Sequence, residues 1–193
     1  MTEITAVEIP GFAAGMWEID PSHSEVTFVV RNLVVRKVGG RFDRFSGTIL
    51  TDEQLNRSWV TATIDASSVS TDQPNGDIHV RSARFLDVEK FPHIAFRSTA
   101  VRSEGGRFFV DGELTIREVT HPVTLDLETS EFTPNLRGGT RVGVRATTEI
   151  GRDDFDVRYH GRIRVLDNRV VLSKKVAITL DIEAVLQSGG PVA

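Results

Sequence analysis

The sequence predicts an all-β chain closed into a small antiparallel barrel of about eight strands, with one short helix covering one side. Three observations carry this. Apolar and polar residues alternate with period two in segment after segment, as in strands with one dry face and one wet face. Turn signals rich in glycine and asparagine separate those segments. The alternation then breaks between Ser70 and Pro92, where a helical spacing takes over. An antiparallel sheet of this size hides its edges by closing on itself.

Along the chain, the first strand comes in two pieces, 17–19 and 26–36. Val26, Phe28 and Val30 share one face, and Thr27 and Arg31 point the other way. After the turn signal Gly39-Gly40, a strand over 40–51 carries Phe42 and Phe45 inward. In 58–66, Val60, Ala62 and Ile64 oppose Thr61, Thr63 and Asp65. Ile78, Ser82, Phe85 and Leu86 then fall at helical spacing. Asp77 stands where an N-cap belongs, which predicts a helix between Asp77 and Asp87.

Alternation resumes over 94–103 with Phe96 inward. Glu104-Gly105-Gly106 reads as a hairpin turn into 107–117, where Phe108, Val110, Leu114 and Ile116 oppose Asp111, Glu113 and Thr115. The apolar faces of the last three strands are Val123, Leu125 and Leu127 in 121–132, Val142, Val144, Ala146 and Ile150 in 140–150, and Val176, Ile178, Leu180 and Ile182 in 169–187. Pro134–Gly139 and Leu166–Asn168 mark turns. Arg152–Phe155, opened by polar residues, reads as a single helical turn.

Composition excludes several classes of function. The chain has 193 residues, enough for one domain, and no cysteine, so disulfides, thiolate metal sites and cysteine nucleophiles are all ruled out. A net charge of −4 argues against nucleic acid as a partner. The densest basic stretch, Arg152, Arg158, Arg162 and Arg164, reads as a solvated barrel rim. No run of about 18 apolar residues is present, so no membrane insertion is expected. Residues 1–10 carry Glu3 and Glu8 and lack the pattern of a secretion signal, which points to a cytoplasmic protein. The expected organisation is a leader over 1–16 packed on a barrel domain over 17–188. A homodimer is left open.

No catalytic residue, metal site or cofactor is expected. Asp20-Pro-Ser22-His23-Ser24 resembles part of a triad but reads as hydrogen bonding in a turn, because triad members come from distant parts of a chain. His23, His79, His93, His121 and His160 show no metal-ligand spacing, and Asp153, Asp154 and Asp156 read as a capped turn. Eleven phenylalanines stand beside two tryptophans and one tyrosine. These rings either fill the barrel or line a cavity for a long apolar ligand, and periodicity leaves both open.

Several motifs, in order, resemble one family. Trp17-x-Ile-Asp-Pro-x-His23-Ser24-x-Val-x-Phe28-x-Val30 is followed by Gly40-x-Phe42-x-x-Phe45-x-Gly47-x-Ile49, Ser68-Val-Ser-Thr71 and Asp77-x-His79-x-x-Ser82-x-x-Phe85-x-Asp87. Phe91-Pro92-x-Ile-x-Phe96, Gly112-x-Leu-Thr-Ile116, Val119-Thr-x-Pro122-Val-x-Leu125 and Arg152-x-Asp154-Phe155 complete the set. Over about residues 17–186 the chain is similar to the YceI-like proteins, a bacterial lipocalin-like, polyisoprenoid-binding family. Asn32 and Glu118 depart from its pattern.

The resemblance implies an eight-stranded lipocalin-like barrel with a helix over one side, holding a long isoprenoid (polyprenyl or quinone-like) or another amphiphilic lipid. The ligand-binding residues expected from these faces are Phe28, Val30, Phe42, Phe45, Ile64, Phe85, Phe91, Phe96, Phe108, Leu114, Ile116, Leu125, Val144, Phe155 and Ile178. Arg152 and Arg158 are expected at a mouth, meeting an anionic or quinone-like headgroup. A structural or stress-response barrel with a filled core is the main alternative, and a hydrolase or isomerase using the cavity is a further one.

Overall fold

β-Branched and aromatic residues at alternate positions build most of the described chain into strands. The computed structural model describes residues 11–32, 37–134, 139–157, 163–165, 168–170 and 172–187. In chain order the elements are β1 (Gly15–Ile19), β2 (Glu25–Asn32), β3 (Lys37–Phe42), β4 (Phe45–Thr51), β5 (Trp59–Asp65) and β6 (Val69–Ser70), then helix α1 (Pro74–Arg81). β7 (His93–Glu104), β8 (Arg107–Ile116), β9 (Val119–Pro134) and β10 (Thr140–Gly151) follow, and β11 (Ile163–Val165), β12 (Asn168–Val170) and β13 (Leu172–Leu186) end the series.

Antiparallel pairing runs β1-β4-β5-β7-β8-β9-β10-β13, and β13 pairs back onto β1, closing an eight-stranded barrel. β2, β3 and β6 continue from β13 at one end. They are the far halves of broken wall strands. Both β1 and β2 lie antiparallel to β13, with Ile19 opposite Ala184 and Glu25 opposite Asp181. The first strand thus spends three more residues than the last across its break. Ser24 stitches the break by donating from Oγ to Asp20 O (2.7 Å) and accepting from Glu183 N (2.9 Å). Asp20 N donates to Glu183 O at 2.8 Å.

The strand expected over 40–51 is in fact β3 and β4, bent at Asp43-Arg44, where buried Ser68 accepts from Arg44 N at 3.0 Å. The bend lets Phe42 and Phe45, three residues apart, both face the interior. Gly39-Gly40 is not a turn, since both residues lie within β3. Gly105 and Gly106 do make the β7–β8 turn, at φ of 58° and 81°, a pair of left-handed residues suited to a tight hairpin. The strand expected over 169–187 is divided into β12 and β13, and β12 pairs with β11 in a small separate hairpin.

The helix starts earlier than expected, with Pro74 at its first position and Gln73 as N-cap, and stops at Arg81. Asp77 therefore lies inside the first turn and does not cap it. Its carboxylate accepts from Thr71 N (2.6 Å) and Thr71 Oγ1 (2.7 Å), bracing the approach to the helix. Residues 82–91 leave the helix through successive turns, with Asp87 at φ 50°. Arg152–Phe155 forms the expected single turn, of 3-10 type. The largest core cluster surrounds Val69, Phe85 and Phe155 at the α1 end, and a second surrounds Trp17, Val142 and Ala184 at the opposite end. Among the described residues no helix is long and apolar enough to cross a membrane.

Candidate ligand-binding cavity

Closing eight strands with apolar residues on the inner face leaves the barrel hollow. The cavity measures about 1230 Å³ and runs from Trp17, Ile49, Leu50 and Trp59 at one end to Phe45, Ile64, Ile116 and Phe155 at the other. This is above the usual range for drug-sized ligand pockets, roughly 300–1,000 Å³. Side chains therefore do not fill the interior.

Of the residues singled out from the sequence, Phe28, Val30, Phe42, Phe45, Ile64, Phe85, Phe96, Phe108, Leu114, Ile116, Leu125, Val144, Phe155 and Ile178 all line this cavity. Phe28 and Phe42 stack obliquely with centroids 5.6 Å apart. Phe91 is the exception. It follows the turn over 87–91, where period two no longer governs direction, and lies outside the lining with the Arg117 guanidinium 5.3 Å from its ring centroid. Arg152 borders the cavity, with its guanidinium donating to Ser173 O and Val157 O, both at 3.1 Å. Arg158 lies outside the described residues.

The structure adds residues that the sequence reading did not select as site residues. Trp17, Val26, Leu180 and Ile182 belong to alternating faces that were visible in the sequence, and they line the cavity too. Lys37, Thr71, Gln73, Asn75 and His79 carried no such signal. They come from the start of β3 and from α1 and its approach, and they give the cavity a polar end. The His79 ring lies 5.3 Å from that of Phe85. At the opposite end, polar groups turn away from the cavity to partners in the wall. The Trp17 indole donates to Thr51 Oγ1 (2.8 Å), which in turn donates to Ala13 O (2.8 Å), and Ser58 Oγ accepts from Asp52 N (3.0 Å).

The Asp20–His23 segment is not part of the cavity lining. His23 Nδ1 lies 2.8 Å from Asp20 Oδ2, and Ser22 donates to the other carboxylate oxygen. Those two hydrogen bonds hold the Asp20 carboxyl well below the usual carboxylate range. Asp20, His23 and Glu183 bring potential metal-ligand atoms within 4.8 Å of one another. Arg141 already supplies their positive charge, with Nη1 3.3 Å from Asp20 Oδ2 and hydrogen-bonded to Glu183. The group is an ion-pair network clamping the β1–β2 break.

A family model for the YceI-like domain matches residues 17–184. Protein YceI of Salmonella newport (strain SL254) is 37% identical over 147 residues, covering 75% of this chain and 77% of that protein. YceI of Salmonella arizonae matches with the same identity and coverage. Among solved structures, Burkholderia cenocepacia BcnA superposes with a TM-score of 0.72 at 22% identity, covering 86% of this chain and 98% of that one. A polyisoprenoid binding domain from Saccharophagus degradans, implicated in plant cell wall breakdown, gives a TM-score of 0.70 at 18% identity, covering 89% and 98%. The two superpositions establish a shared barrel. The family-model match and the 37% identical relatives make this chain a member of the YceI-like family.

Proposed function

We propose that the barrel binds and carries a long isoprenoid, polyprenyl or quinone-like, or a similar amphiphilic lipid, with its tail among the phenylalanines and its head at the α1 end. One observation carries this reading: the 1230 Å³ cavity is apolar along most of its length, while Lys37, Gln73, Asn75 and His79 border it at one end. A hydrocarbon tail leaves no hydrogen bonds unmet there, whereas a polar metabolite would lose its own to water. Burial contributes about 0.8 kcal/mol per methylene, and the ordering of a long chain offsets much of that. Lys37, Gln73, Asn75 and His79 suit a headgroup that accepts hydrogen bonds or carries negative charge. The shared fold of a polyisoprenoid binding domain supports the same reading.

Binding rather than turnover fits the lining, because Thr51, Ser58 and Thr71 commit their hydroxyls to Ala13, to Asp52 N and to Asp77. The test is to denature purified protein and analyse the organic extract by mass spectrometry, alongside uptake of added polyprenyl compounds. Lipid near one equivalent is expected. No lipid and no uptake would remove the carrier role.

A further inference from the structure

We infer that the α1 end of the barrel docks on a lipid bilayer, so that cargo passes between membrane and cavity without crossing water. This rests on the carrier reading above. Among the described residues the large hydrophobic side chains left exposed are Val38 and Ile78, at 38% and 67%. Both stand at the same opening. Val38 lines the cavity where β3 begins, and Ile78 lies on the helix whose Gly76, His79 and Val80 border the same end.

Each of the two has a cation nearby in the chain. Lys37 precedes Val38, and Arg84 follows α1; both are exposed. The nearby acids are engaged, Asp72 by Arg41 at 2.7 Å and Asp77 by Thr71. Two apolar side chains are far too little surface for a specific protein partner, which buries about 1,200–2,000 Å² in total. A few apolar residues with adjacent lysine or arginine are enough for reversible contact with an anionic membrane surface. The location decides between the two. Exposed apolar groups at the opening of a lipid cavity serve the transfer of a molecule that water rejects.

The test uses the full chain with vesicles of phosphatidylcholine alone or with about 30% phosphatidylglycerol. Flotation reads docking, and uptake of a fluorescent polyprenyl probe reads transfer, first from vesicles and then from detergent micelles. Wild type is expected to float with the anionic vesicles. Ile78→Asp is expected to load normally from micelles but about tenfold more slowly from vesicles, and Ile78→Ser gives a milder version. Equal rates from vesicles for wild type and variants, with loading from micelles intact, overturn docking and leave the carrier reading standing. No loading from either source removes the carrier reading and the inference with it. If Ile78→Asp instead abolishes self-association in the absence of vesicles and leaves flotation unchanged, the patch is a contact between copies of the chain.

Discussion

The ring of Phe28 lies over Gly40, its partner across the β2–β3 pair, leaving no room for a side chain there. A Cβ on Gly40 would stand 2.5 Å from Phe28 Cζ and 2.9 Å from the Ser70 carbonyl oxygen. Gly40→Ala is expected to cost about 1–3 kcal/mol in urea unfolding, as overpacking does, and to swing the Phe28 ring toward the cavity. Unchanged stability would show that the ring can move aside freely.

On β7, adjacent residues face opposite ways. Phe96 lines the cavity, and Ala95 is exposed on the outer wall. Phe96→Asp is expected to lose bound lipid and about 3 kcal/mol or more of stability, through a cavity and an unpaired carboxylate in apolar surroundings. Ala95→Asp should change neither by much. Equal lipid content in the two variants would contradict the assignment of the site to the inner face.

Trp17 and Trp59, the chain's two tryptophans, both line the end of the cavity away from α1. They are built-in reporters of ligand direction. A lipid brominated near its tail terminus is expected to quench their fluorescence strongly, and one brominated near its head weakly. The reverse ranking would turn the ligand around.

His23 is largely exposed and hydrogen-bonds Asp20 outside the cavity. His23→Ala should lower stability by about 1 kcal/mol and leave lipid content unchanged. Lost lipid from a stably folded variant would assign the segment a role beyond clamping the strand break.

Hydrogen bonds from Ser67 and Arg44 push the Asp65 carboxyl down to about 2, below its unfolded value near 4. A depressed carboxyl pKa contributes stability above the unfolded value and loses it as pH falls toward the folded one. Asp65→Asn should therefore flatten the fall in melting temperature between about pH 4 and pH 2. Its cost at neutral pH should be about 1 kcal/mol, since solvent screens a partly exposed pair. An unchanged acid profile would place the acid sensitivity elsewhere, first at Asp20.

Period two showed the walls and most of the lining, because one buried face forces each strand into a single register. The bend at Asp43-Arg44 has its own trace in the sequence: Phe42 and Phe45 can both face inward only if the strand breaks between them. Sequence chemistry puts the N-cap at Asp77, four residues past Gln73, because Asp77 is a good capping residue; Pro74 fixes the start and Asp77 serves Thr71 instead. For the polar end of the cavity the sequence points to Arg152 and Arg158, of which Arg152 does border the cavity and Arg158 lies outside the described residues. Gln73, Asn75 and His79 sit together on α1 and its N-cap, but nothing in their spacing shows that this segment faces the cavity, and Lys37 joins them only through tertiary folding.

Closure of the barrel between Trp17 and Leu186 has a consequence for how the protein is made. On the ribosome the first strand emerges long before its partner β13, so until then the sheet grows with two open edges and an uncovered apolar face. Such distant pairing is slow to form, because the long loop must be closed before any contact rewards it. Until β13 is released, nascent chains hold matching unpaired edges, and pairing with a neighbouring chain competes with self-closure. Substitutions in β1 or β13 that barely alter the finished barrel should therefore still lower the yield of protein that reaches it.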